Sequence, residues 1–120
     1  MEIQDIVNKI IYLPAEYRRL GNESIYSLLK KTSYFETYQQ IQKDMFVEEL
    51  NNHPECVNHW MTYSADSRAS SGWYFNQNGD GKYIVGYYPP NEAFRNTEYS
   101  DPFVACAAYI LNEIEDIRKI

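Results

Sequence analysis

Trp73-Tyr74-Phe75-Asn76-Gln77-Asn78-Gly79-Asp80-Gly81-Lys82-Tyr83-Ile84-Val85-Gly86-Tyr87-Tyr88 is the stretch that decides the fold. Aromatic and β-branched residues fill its two arms, Trp73–Asn76 and Lys82–Tyr88, and such side chains suit a pleated, half-buried surface. Between the arms, Asn78-Gly79-Asp80-Gly81 supplies residues that tolerate positive φ, the chemistry of a hairpin turn. Pro89-Pro90 stops the second arm, and Ala93 to Tyr99 reads as a third, edge strand. The expectation is a three-stranded antiparallel meander.

Helical patterns flank it. Downstream, Ser100-Asp101-Pro102 is a strong helix start, with Asp101 as N-cap in the extended conformation that a following proline prefers. Phe103, Cys106, Ala107, Ile110, Ile114 and Ile117 then form an apolar stripe, and Arg118 and Lys119 sit where the helix dipole favours cations. Upstream, Ile3, Ile6, Val7, Ile10 and Ile11 mark one buried helical face, which Pro14 interrupts. Ala15–Leu20 reads as a short turn of helix before Gly21, and Asn22 as the cap of a helix carrying Ile25, Leu28 and Leu29. Ser33-Tyr34-Phe35-Glu36 fits a capping box. The helix it opens, through Phe35, Tyr38, Ile41, Met45 and Phe46, is expected to run to about Asn51 or Asn52. Pro54 suits the first turn of another, with Val57, Trp60, Met61 and Ser64 inward. Ser64–Gly72 reads as a loop. With no repeat or linker, residues 1–120 form a single α+β domain: a helical N-terminal half, the meander, and a long C-terminal helix packed on the sheet.

Of the 120 residues, 17 are acidic and 11 basic, for a net charge of −6. That balance disfavours direct nucleic-acid binding, which needs clustered Lys and Arg, and would steer the chain toward a basic partner. Met1-Glu2-Ile3-Gln4-Asp5 lacks the basic and apolar regions of a secretory signal, and no apolar run nears the ~20 residues that span a bilayer. Two cysteines fifty residues apart form no disulfide framework. A cytoplasmic setting away from membranes is the expectation.

Candidate chemistry is sparse. His53, Cys56, His59 and Cys106 are zinc-ligand types, but a lone Cys-x2-His lacks the paired spacing of a zinc motif, and Cys106 falls on the apolar stripe. Asn76–Gly81 has the oxygen spacing and sixth-position glycine of a calcium loop. Its twelfth position is Tyr87 instead of a bidentate Glu, so the hairpin reading stands. Glycine-rich phosphate loops are absent. No metal or cofactor is expected. Glu55, His59 and Tyr63 share a predicted helix face at i, i+4, i+8, which gives the alternative reading: a small hydrolase or transferase using a Glu–His pair.

Tyrosine is the opposite case, with twelve in the chain. It offers contact area at low entropic cost together with a polar handle, and hairpin tyrosines point to both sheet faces. Loop and helix-end carboxylates add charge. The candidate partner-binding set is Glu48, Glu49, Glu55, Tyr63, Asp66, Tyr74, Asp80, Tyr87, Glu92 and Glu98.

Three segments carry a likeness: Gly72-Trp73-Tyr74-Phe75, then Gly81-Lys82-Tyr83-Ile84-Val85-Gly86-Tyr87-Tyr88, then Asp101-Pro102-Phe103-Val104-Ala105-Cys106. Together they resemble the C-terminal half of bacterial polymorphic-toxin immunity proteins of the CdiI type. In that group a tryptophan strand and a Gly-Tyr strand precede an Ala-Cys-rich helix. Some relatives carry Glu-Arg-Gly after the second strand, where this chain has Pro89-Pro90-Asn91. The resemblance implies an immunity protein that neutralises the C-terminal toxin domain of a CdiA protein of contact-dependent growth inhibition, often a nuclease such as a tRNase. It also implies occlusion of the toxin's active site or functional surface, with room for a host translation factor engaged through the toxin. A homodimer through the aromatic sheet is a further expectation.

Overall fold

The computed structural model describes residues 2–67, 72–88 and 96–120. Helix α1 (Ile3–Ile11) buries Ile6, Val7, Ile10 and Ile11, as its helical period demands. Pro14 lies in the first turn of α2 (Leu13–Leu20), which Gly21 closes at φ 75° in the left-handed region. Helix α3 (Ile25–Lys31) is capped by Ser24 instead of Asn22; the serine hydroxyl accepts from the Ser27 N–H at 3.0 Å.

The long helix expected after Ser33 is broken in two. Helix α4 (Tyr34–Thr37) gives way to a 3-10 turn, Tyr38–Gln40, and α5 (Lys43–Asn52) starts afresh. Ser33 forms no capping box: at φ 71° it makes the left-handed exit from α3, and its side chain caps nothing. Thr32 does the local work, its hydroxyl donating to the Leu29 carbonyl at 2.6 Å and accepting from the Tyr34 N–H at 3.2 Å. Ile41 is extended, at φ −103° and ψ 126°, and buried. Burying such a side chain contributes about 1.5–3 kcal/mol, which outweighs helical preferences of a few tenths per residue.

Helix α6 (Glu55–Ser67) buries Cys56, Val57, Trp60, Tyr63 and Ser64. The Trp60 indole N–H donates to the Ile11 carbonyl at 3.0 Å, tying α6 to the end of α1 and satisfying an otherwise orphan carbonyl there. Strands β1 (Gly72–Gln77), β2 (Tyr83–Tyr88) and β3 (Thr97–Tyr99) follow as an antiparallel meander in sequence order. Phe75 pairs with Val85 and Val85 with Thr97. At the hairpin tip the Asn78 side-chain oxygen accepts from the N–H groups of Asp80 (2.9 Å) and Lys82 (3.0 Å), and Gly81 takes φ 78°. The described third strand is shorter than the expected Ala93–Tyr99, of which residues 93–95 lie outside the described set.

Helix α7 (Pro102–Arg118) begins as its sequence dictates, with the Asp101 carboxylate accepting from the N–H groups of Phe103 (2.8 Å) and Val104 (3.4 Å). It lies at the centre of the molecule, one side on the sheet and the other on α5, so Ala105 to Ile110 are all buried. Phe75 stacks on Tyr109 at 5.7 Å between ring centres, and Trp60 meets the same ring edge-on at 6.0 Å. The fold is α+β, with α7 packed on the sheet. The edge of β1 is closed by α6: the Phe75 N–H turns away from β2 and donates to the buried Ser64 hydroxyl at 2.8 Å.

Candidate binding surface

Strand alternation sorts the hairpin aromatics into two sets. Trp73, Phe75, Tyr83, Val85 and Tyr87 share the inner face with Tyr99, toward α7. Tyr74, Asn76, Ile84, Gly86 and Tyr88 lie on the outer face with Glu98, and among the described residues no helix covers them. The Tyr74 ring lies across Gly86, where a β-carbon would come within 2.7 Å of the tyrosine's Cζ. Its hydroxyl donates to the Asn96 side-chain oxygen at 2.6 Å. Tyr88 is 51% exposed, high for so large an aromatic. Ile84, the Tyr74 ring and Tyr88 therefore form an apolar ridge, with Glu98 beside Ile84 by register.

The charges are unevenly matched. Each described arginine already has a carboxylate partner: Arg18 with Asp66 at 3.7 Å, Arg19 with Glu16 at 2.7 Å, and Arg118 with Glu115 at 2.8 Å. Lys31 is taken by Glu23 at 2.7 Å. Glu48, Asp44, Asp80 and Glu98 are exposed, and none forms an ion pair among the described residues. Among the described residues Glu98 receives the Asn78 amide, at 3.4 Å.

The structure divides the candidate residues. Glu48, Asp80 and Glu98 are exposed carboxylates on three different elements, Tyr74 is on the outer sheet face, and Asp66 is exposed but held by Arg18. Three others are turned toward the protein's own interior. Glu49 is only 8% exposed because α1 covers it: Gln4 donates to one carboxylate oxygen at 2.7 Å and Asn8 to the other at 3.0 Å. Tyr63 is 6% exposed, packed edge-on to Trp60, with its hydroxyl donating to Glu113 at 2.9 Å. Tyr87 lies on the inner face, edge-on to Trp73 at 5.3 Å. Glu92 lies outside the described residues.

Sequence reasoning missed a polar seam between α1 and the α5–α6 junction. Gln4, Asn8 and Tyr12 stand at i, i+4, i+8 on α1 and its C-cap, facing Glu49 and His53 of the other segment. The Tyr12 hydroxyl donates to Glu55 at 2.9 Å and contacts His53 Nδ1 at 2.9 Å, while Asn8 reaches His53 Nε2 at 3.4 Å. Burial, then the Glu55 hydrogen bond, push the Tyr12 hydroxyl up to about 12. The only available signal was the four-residue spacing of Gln4, Asn8 and Tyr12 beside an otherwise isoleucine-rich helix.

The alternative catalytic set is not assembled into a relay. Glu55 is engaged by its own backbone N–H and by Tyr12, which hold its carboxyl below the usual range. Tyr63 bonds Glu113, and among the described residues the buried His59 Nδ1 has no hydrogen-bond partner. Cys56 and Cys106 are both free and buried; burial raises the Cys56 thiol to about 12 and Cys106 well above the ordinary value. Such thiols are poor nucleophiles and poor ligands. Among the described residues no three His, Cys, Asp or Glu side chains are placed to hold a metal ion, and no helix is long and apolar enough to cross a membrane.

No family model matches the chain, and no solved structure matches it. It is similar to FMN-dependent NADH:quinone oxidoreductase 3 of Halalkalibacterium halodurans, with 30% identity over 102 residues. The match covers 85% of this chain and 45% of that protein, so the chain spans less than half the length of this relative.

Proposed function

We propose that the chain is an immunity protein that binds and neutralises a cognate toxin domain, a nuclease such as a tRNase, by occluding its active site or a surface it needs. The supporting observation is the charge pairing. The described arginines are paired internally, while Glu48, Asp44, Asp80 and Glu98 are exposed and pair with no cation among the described residues. A surface of that kind complements a protein that displays Lys and Arg to hold phosphates. The resemblance of the hairpin and of Asp101–Cys106 to CdiI-type proteins points the same way.

The relative's name carries FMN, and the residues here do not fit that group. Open parallel α/β sheets bind a flavin's phosphate beyond the carboxyl ends of their strands, at a helix N-terminus. This sheet is antiparallel throughout. The one described helix that follows a strand is α7, and the Asp101 carboxylate already occupies its N-terminal N–H groups. A second anion there would meet like charge.

The test is co-purification with the protein encoded immediately upstream. The expected result is a one-to-one complex that weakens as salt rises and in which the toxic activity is silenced. A chain that purifies folded and alone would overturn the reading.

A further inference from the structure

We propose that the outer face of the sheet is the docking surface, and that it seats a basic protein segment with an apolar side chain on the Ile84–Tyr74–Tyr88 ridge and a cation at Glu98. This rests on the toxin-binding reading and names the surface that reading leaves open.

Three observations converge. First, the face is helix-free among the described residues, and an antiparallel sheet with aromatics on both faces and a helix on one leaves the other set for a partner. The inner face has α7. Second, a raised ridge suits a macromolecule; small ligands take concave sites. Tyr88 stands half-exposed at one end, and Tyr74 is fixed in place by Asn96 and by its seat on Gly86, so the ridge is pre-organised.

The third observation selects the partner's charge. Among the described residues no cation pairs with Glu98 beside the ridge, and Lys82, which strand alternation carries onto this face, is turned to the Ser100 hydroxyl at 2.7 Å. An arginine or lysine brought to Glu98 would gain a charge-assisted hydrogen bond in a partly dried setting. A second copy of this chain would instead bring its own acidic surface, which disfavours self-association.

The experiment measures binding of the upstream-encoded protein by calorimetry to the wild-type chain, Tyr88→Ala, Glu98→Lys, and Glu2→Lys, the same charge change at an exposed residue ahead of α1 whose side chain caps nothing. Circular dichroism confirms that each variant is folded. Tyr88→Ala and Glu98→Lys are each expected to weaken binding about tenfold or more, as truncating an aromatic anchor or reversing a paired charge does. Glu2→Lys should change it by less than about threefold, the modest effect of a peripheral charge. If wild type binds and both sheet variants bind equally well, the surface is assigned wrongly; if Glu2→Lys loses as much binding as Glu98→Lys, the loss reflects overall charge and the proposal also fails. If wild type itself does not bind, the toxin-binding reading falls first, and the docking surface with it.

Discussion

Replacing Ser64 with alanine removes one oxygen from the centre of the molecule, and its effect can be worked out from the hydrogen bond it breaks. The Ser64 hydroxyl accepts the Phe75 N–H at 2.8 Å, and both residues are buried. With alanine in place, that N–H has no acceptor and no water, a loss of about 1–3 kcal/mol. Alanine is the better helix former by roughly 0.5 kcal/mol, which offsets part of it. The net expectation is about 0.5–2.5 kcal/mol of destabilisation. For 120 residues, an unfolding entropy near 2.1 cal/mol/K per residue makes ~1 kcal/mol equal to about 4 °C, so the midpoint should fall by roughly 2–10 °C. Thr62→Ala is the matched control. It lies on the same helix, but its exposed hydroxyl only back-bonds to the Asn58 carbonyl at 3.0 Å, so its loss should be near zero. Urea denaturation and thermal melts of the two variants decide the matter. If Ser64→Ala is as stable as Thr62→Ala, the closure of the β1 edge by α6 does not have the energetic role assigned to it.

Two other outcomes are expected. Burial raises the Glu113 carboxyl, and Asp116 adds to this against the Tyr63 hydrogen bond. The folded state then holds that proton more tightly than the unfolded chain does. The stabilisation is complete below the ordinary carboxylate value and is lost as pH rises through the raised one. Glu113→Gln should therefore be more stable than wild type at neutral pH and converge on it in acid, as read by denaturant midpoints across pH; parallel curves would contradict this. Cys56 and Cys106, both buried with raised thiols, should react with a thiol reagent at neutral pH only as fast as the protein unfolds. Rapid labelling of the native protein would refute it.

Elements whose signals are local were legible in the sequence. Asp101-Pro102 caps α7 because carboxylate and proline act within one turn, and Asn78–Gly81 forms its turn through its own side chain and glycine. The segment from Ser33 to Gln42 misled because a serine followed three residues later by glutamate has the same composition at a helix start and at a left-handed exit. What decided between them was burial of Ile41, a tertiary effect. For the candidate surface, strand parity places Tyr74 and Tyr87 on opposite faces once one inner residue is known. The burial of Glu49 and Tyr63 was beyond reach, since their partners Gln4, Asn8 and Glu113 come from more than forty residues away. An isolated carboxylate or tyrosine on a helix gives no sign of a distant donor that will cover it.

The Tyr74–Gly86 pairing has a consequence for how such a surface diverges. Strand β2 contributes no side chain at its midpoint, so the relief there is drawn by a residue of the neighbouring strand. One codon, at position 74, therefore sets the shape over two strands, and no compensating change is required beneath it because Gly86 admits any smaller ring or chain. Position 86 has the reverse character: even alanine would collide with Tyr74 and Asn96 and unseat the ridge. A lineage could retune this face stepwise through residue 74 while the sheet below stays unchanged, which is the kind of freedom that sets of mutually exclusive partner pairs need.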